Sequence, residues 1–196
     1  MTTESLNELK KQVLACQQCP LYATRNQPVF GSGNPEAPIL IVGEAPGFEE
    51  DKTGVAFVGK SGQLLEKILK ACNFSREKEV YMSNIVKCRP PHNRTPAPTE
   101  QSACLPYLEQ QIEIIRPKII ILLGSTALKA FFGASSRITR ERGQWKNWFG
   151  YEVMPTYHPS ALLRNPGLKR DAWEDFKKVV LKYRELVDKN HYCQYV

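Results

Sequence analysis

Ile39-Leu40-Ile41-Val42-Gly43-Glu44-Ala45-Pro46-Gly47 is an unbroken aliphatic run that stops at a turn built from Gly, Glu and Pro. A short run with no polar residue, rich in β-branched side chains, reads as a strand covered on both faces, as in a parallel sheet. Its abrupt end marks a loop too tight for ordinary residues. In open α/β sheets ligands sit at that carboxyl edge, so the loop from Gly43 to Gly47 is the first candidate site. Acidic residues follow at once, Glu44, Glu49, Glu50 and Asp51, and one aromatic, Phe57, lies in the next stretch, Gly54-Val55-Ala56-Phe57-Val58-Gly59. Carboxylates so placed repel a polyanion and point instead to a specific small group.

Outward from this strand the chain alternates. Ser5-Leu6-Asn7-Glu8 spells a capping box, and Leu6, Leu9, Val13 and Leu14 give one apolar helical face up to about Ala15. A helix from about Gly62 carries Leu64, Leu65, Ile68 and Leu69 at helical spacing. A second strand spans 80–86, and four prolines between Arg89 and Pro98 forbid a helix there. A helix over 99–115, kinked or restarted at Pro106, leads to a third strand at 119–123. A short helix then ends near Gly133, residues 143–149 are ambiguous, and a fourth strand covers 152–157. The last helix runs over 171–188 with Trp173, Phe176, Val180, Tyr183 and Val187 inward. Four strands separated by helices predict an α/β fold, a four-stranded parallel sheet between helical layers. No repeat or linker interrupts residues 1–196, which read as one domain.

The balance of 27 Lys and Arg against 20 Asp and Glu gives a net charge of +7, which favours a polyanionic partner such as nucleic acid. No apolar stretch approaches the roughly 20 residues of a membrane span, and the polar start is no signal peptide. A cytoplasmic protein with six reduced cysteines is expected.

The strand ends deliver a carboxylate (Glu44), an amide (Asn84), Gly124-Ser125 and an imidazole (His158-Pro159-Ser160). In a parallel sheet these converge on one edge, with Phe57 at hand. The cysteines supply a second constellation. Cys16-Gln17-Gln18-Cys19 is a C-x2-C pair, and Cys88 and Cys104 flank the proline loop, which together read as a four-thiolate metal site. Zinc and a [4Fe-4S] cluster both fit that ligand count, and Cys19-Pro20 echoes the ending of many iron–sulfur ligand runs. Cys72 and Cys193 read as buried thiols outside the set. One competing pattern, Gly54 to Ser61, matches the P-loop G-x4-G-K-[ST] letter for letter. Its context fails, because no strand leads directly into it and no strand ends in a magnesium-holding Asp.

Five ordered motifs, Gly43-Glu44-Ala45-Pro46-Gly47, Phe57-Val58-Gly59, Asn84 to Pro91, Asn93-Arg94-Thr95-Pro96 and His158-Pro159-Ser160, together with Cys16, Cys19, Cys88 and Cys104, resemble the family 4 uracil-DNA glycosylases. These are the iron–sulfur members of the uracil-DNA glycosylase superfamily. The resemblance implies an α/β/α sandwich, removal of uracil from single- or double-stranded DNA by a monomer without a lyase step, and a [4Fe-4S] cluster rather than zinc. It implies Phe57 as stacking platform, Asn84 as reader of the uracil edge and His158 as donor to uracil O2. Glu44 then orients water or stabilises the sugar cation. Ala45 and Gly47 belong to the substrate loop, and Glu50 falls near the uracil C5 edge. Lys60, Lys87, Arg89, Asn93, Arg94, Ser160 and Arg164 fall on the DNA side, and Ala161-Leu162-Leu163-Arg164 is a candidate wedge. Two other readings are a superfamily member that binds or covalently traps uracil-DNA without turnover, and a metal-stabilised DNA-binding accessory domain. The first carries an extra basic loop with an added His, and residues 60–72 instead read as a plain helix entry.

Overall fold

The structure, a computed structural model, describes residues 2–196. Its centre is the strand β2 (Ile39–Gly43), every residue of which is buried. Burying each of its aliphatic side chains contributes about 1.5–3 kcal/mol, so no polar residue enters until Glu44. β2 pairs in parallel with β3 (Val80–Asn84) on one side and β4 (Ile119–Leu123) on the other, and β4 pairs in parallel with β6 (Tyr151–Thr156). Side chains alternate between two cores, as the two-residue period requires. Leu40, Val42, Ile120, Leu122 and Val153 face α1 (Thr2–Ala15) and α4 (Pro98–Ile115), while Ile39, Ile41, Met82, Ile119, Ile121 and Met154 face α3 (Lys60–Ala71) and α8 (Lys169–Leu186). The result is the expected α/β/α sandwich.

The sheet is wider than the sequence pattern predicts, with six strands in the order β1-β3-β2-β4-β6-β5. The two additions are antiparallel edges, β1 (Ser32–Gly33) and β5 (Lys146–Trp148). Neither has a hydrophobic pattern to read: β1 is two residues long, and β5 turns into β6 through Phe149-Gly150, where a bulky residue with φ +48° occupies a turn that usually takes Asn or Gly. The four parallel strands, in chain order, stand second-first-third-fourth across the sheet. Their order reverses between β2 and β4, and the carboxyl end of that junction is the topological switch point where α/β folds bind ligands.

Smaller expectations also shift. α1 begins at Thr2, so Ser5 and Glu8 lie inside the helix and form no capping box, and Glu8 pairs with Lys11 instead. Leu14 turns off the stripe made by Leu6, Leu9 and Val13 and is exposed, as is Val187 just beyond α8. The second strand stops at Asn84, although the Ile85 and Val86 amides still donate to the Gly43 and Glu44 carbonyls.

Candidate active site

A cavity of about 620 Å³ opens at the switch point and is lined by Glu44, Ala45, Gly47, Glu50, Phe57, Asn84 and His158, among others. Its polar side chains arrive from the ends of β2, β3 and β6, as the strand-end argument requires. Asn84 and Phe57 meet above Gly43, where an added Cβ would stand 2.5 Å from Asn84 Oδ1 and 2.7 Å from Phe57 Cζ. Glycine is therefore the one residue that lets the amide and the ring approach each other.

Phe57 sits at φ +56°, a conformation that costs a bulky residue of order 1–3 kcal/mol and persists only where its surroundings fix it. Those surroundings are specific. Arg76 donates from Nη2 to the Phe57 carbonyl and from Nη1 to the Ala56 carbonyl, both at 2.6 Å, and its Nε pairs with Glu66 at 3.0 Å. From the other side Glu50 Oε1 accepts from the Val58 and Gly59 amides at 2.9 and 2.8 Å, and Oε2 accepts from the Gly47 amide at 3.1 Å. Glu50, expected at the C5 edge of a bound base, lines the cavity, and its carboxylate also ties two loops together through their backbone amides. These contacts also dispose of the P-loop pattern, since amides that would cradle a phosphate are given to a carboxylate. Arg76 has no sequence signal, because it lies 19 residues beyond Phe57 and belongs to no motif.

His158 caps α7 (Pro159–Arg164): its Nδ1 accepts from the Ser160 amide at 3.1 Å and lies 2.9 Å from Ser160 Oγ. A nitrogen that accepts a backbone N–H carries no proton of its own, so the neutral ring holds its proton on Nε2. Burial first, and the charge of Arg164 second, lower the His158 pKa to about 4, against a smaller opposite pull from Glu50. The ring keeps some solvent contact through the cavity mouth while protein encloses the rest, so at neutral pH it is an uncharged donor. Glu44 is held in turn by Thr126 Oγ1, which donates a short hydrogen bond to its Oε2 from α5 (Gly124–Phe132). Thr126 carries no signal of its own in the sequence, although it lies one residue past the Gly124-Ser125 strand end.

The expected DNA-facing residues divide. Asn93, Arg94, Ser160 and Arg164 line the cavity wall, Arg89 is tied to Asn93 by Nε at 2.7 Å, and Lys60 is exposed at the start of α3. Arg94 is already paired with Glu100 through two hydrogen bonds of 2.9 and 2.7 Å. Lys87 contradicts its expected role as a phosphate contact. It is 1% exposed, and its Nζ donates to Ser83 Oγ, the Asn84 carbonyl and Gln111 Oε1 at 2.6–2.8 Å. In the candidate wedge Leu162 is buried and Leu163 is exposed, so only Leu163 is free to insert.

Cys16, Cys19, Cys88 and Cys104 line a second, small pocket with Arg25 and Tyr107. Arg25 Nη1 donates to Cys88 Sγ at 2.9 Å and the Lys87 amide donates to Cys104 Sγ at 3.2 Å. Burial raises the pKa of both thiols, that of Cys104 to about 11. Four thiolates on one zinc, at about 2.3 Å each, stand roughly 3.8 Å apart. Among the described residues no three His, Cys, Asp or Glu side chains gather closely enough to hold a metal ion. Cys72 and Cys193 are buried elsewhere, in the core under α3 and α8.

The sequence profile of the Uracil DNA glycosylase superfamily matches residues 30–177. The chain is similar to a type-4 uracil-DNA glycosylase of Thermotoga maritima, 49% identical over 90% of this chain and 94% of that protein. One from Sulfurisphaera tokodaii is 45% identical over 90% of this chain and 84% of that protein. A type-5 uracil-DNA glycosylase of Pyrobaculum aerophilum is more distant, at 34% over 72% of this chain and 69% of that protein. With its fold, its strand-end cavity and its four-cysteine pocket, the chain belongs to the type-4 uracil-DNA glycosylases of that superfamily.

Proposed function

We propose that this protein flips uracil out of DNA and hydrolyses its N-glycosidic bond, leaving an abasic site as the first step of base excision repair. The observation that carries the reading is the fixed His158 tautomer, a neutral Nε2–H donor on the wall of the cavity that Asn84 and Phe57 share. A flipped base needs a π-surface, a reader of its Watson–Crick edge and a group that steadies it as it leaves. Phe57 is the surface. The Asn84 carbonyl accepts from uracil N3–H while its amide donates to O4, and cytosine presents the reverse pattern. As the glycosidic electron pair departs with the base, negative charge gathers on O2, where His158 donates. Glu44, oriented by Thr126, faces the sugar, offsets its positive charge and directs the water that adds to C1′.

Lys60, Arg89, Asn93, Arg94, Ser160 and Arg164 contact the DNA backbone, with Leu163 as the inserted side chain. The four cysteines hold a [4Fe-4S] cluster, which supplies Fe–S bonds tying the segment after α1 to the loop after β3 and to α4. The protein acts as a monomer on DNA in the cytoplasm, associated with the nucleoid of a prokaryote. No described helix is long and apolar enough to cross a membrane. Incubation with a uracil-containing oligonucleotide tests the reading: free uracil and an alkali-labile abasic site are expected. A stable protein–DNA adduct, or binding without release, would overturn it. The entry to α3 is an unbroken helix, in line with turnover.

A further inference from the structure

Just outside the cavity the exposed Phe48 ring, which has no assigned role, stands against the half-buried Arg89. Phe48 is the first residue of α2 (Phe48–Thr53), adjoining Gly47 of the cavity wall, and it is 54% exposed although both cores are filled without it. The Arg89 guanidinium lies over its ring, 5.2 Å from the centroid. Arg89 is itself anchored to Asn93 of the cavity wall, and its neighbour Pro90 also lines the cavity. A single exposed aromatic is ordinary. An aromatic capped by a cation beside a cavity that takes one nucleotide of a polymer is less so, because the neighbouring nucleotides then lie near its rim.

We infer that the Phe48–Arg89 pair is a second base-stacking subsite, one that receives a nucleobase adjacent to the flipped uracil, with the guanidinium also available to that nucleotide's phosphate. The inference rests on the uracil reading above. The ring accepts any base, since every base has a π-face. Around it Glu50 and Asp51 are already spent, Glu50 on three amides and Asp51 on the Asn26 amide and side chain, which leaves Glu49 as the exposed carboxylate of that turn. The acidic turn disfavours a phosphate at Phe48 itself, so the ring takes the base and Arg89 takes the charge. A flanking base in a duplex remains stacked on its neighbours and paired with the opposite strand. The subsite therefore serves single-stranded DNA more than duplex.

The test compares the purified wild-type protein with Phe48→Ala and Phe48→Trp on one uracil oligonucleotide, single-stranded and annealed, with 2-aminopurine placed in turn on either side of the uracil. Phe48→Ala is expected to lower the ratio of single-strand to duplex kcat/KM about 5-fold or more, the low end of what one stacked base is worth. It is also expected to abolish the binding-induced quenching of 2-aminopurine on one side, and Phe48→Trp restores both. An unchanged ratio, or wild-type protein that does not quench 2-aminopurine on either side, overturns the subsite. Wild-type protein that releases no uracil from either substrate fails the parent reading instead, so the two failures are told apart.

Discussion

The strand-end cavity and the four-cysteine pocket flank one short segment but are held together differently. Asn84 faces the first, Cys88 faces the second, and Lys87 between them is buried, its ammonium on the Asn84 carbonyl and its amide on Cys104. In the cavity the functional side chains are fixed from behind by protein: Phe57 by Arg76 and the Glu50 strut, His158 by Ser160, Glu44 by Thr126. The site's shape is a property of the fold, which is how electrostatic complementarity to a transition state is prepared in advance. The thiols come instead from the stretch after α1, the loop after β3 and the body of α4, where they pack on one core and share Arg25, which donates to Cys88 Sγ and to the Cys16 carbonyl. On the proposed reading a cluster would supply the remaining bonds between these three segments.

Removing one thiolate should accordingly have the largest effect. Cys104→Ala is expected to take the protein from brown, with roughly four irons per chain, to nearly iron-free, and to expose residues near 16–25 to limited proteolysis. Iron assay and absorption spectra check the first, mass-mapped digestion the second. Wild-type protein that is colourless with one zinc per chain would contradict the cluster.

His158→Ala breaks the other side of the comparison and leaves the iron content alone. Loss of a donor that acts as charge develops should lower single-turnover uracil release ~10²–10³-fold with little change in affinity for uracil-DNA. A variant that weakened binding alone would put the wrong residue at the centre of the cavity.

Support from behind is tested by Arg76. Phe57→Ala should cost about 1–3 kcal/mol of base binding through lost stacking. Arg76→Ala deletes nothing that touches the base, yet frees the Ala56 and Phe57 carbonyls and leaves Glu66 without its partner. It should reproduce about half or more of the Phe57→Ala loss in kcat/KM, with lowered thermal stability as well, because unsatisfied buried groups cost about 1–3 kcal/mol each. If Arg76→Ala lowered stability and left kcat/KM untouched, the ring would hold its place without the clamp.

How much of the molecule is legible in its sequence follows from the same contrast. Strand-end residues are legible because a parallel strand's apolar run has a sharp carboxyl end, which places Glu44, Asn84 and His158 on one edge from the order of residues alone. The cysteines are legible by spacing. Their supports are not, because Arg76 and Thr126 act across the fold and belong to no period or motif. Lys87 looks like a ligand-facing charge, and burial reverses that logic: a buried charged group is retained only with partners, and Lys87 finds its own in Ser83, Gln111 and the Asn84 carbonyl. The edge strands escape a sequence reading because two or three residues carry no periodicity.

The smallest expected effect is the most discriminating for His158. A free imidazole titrates near 6.5, so a surface donor would change charge across physiological pH; here burial and Arg164 lower the value to about 4. The ring is therefore neutral in the folded protein throughout the range from about pH 6 to 8, and single-turnover uracil release should vary by less than about 2-fold over that range. The sign for stability follows from the same shift. Below pH 6.5 the unfolded chain takes up a proton that folded His158 refuses, so the protein loses stability as pH falls from about 6.5 towards 4, and the loss levels off below that. Ser160→Ala sharpens the point: the backbone amide of residue 160 still fixes Nδ1 as acceptor, so the flat profile should survive with only a small loss of rate. An acid limb centred near 6.5 in the wild type, absent from His158→Ala, would mean that the imidazole titrates as it does in water and that the cavity does not hold it neutral.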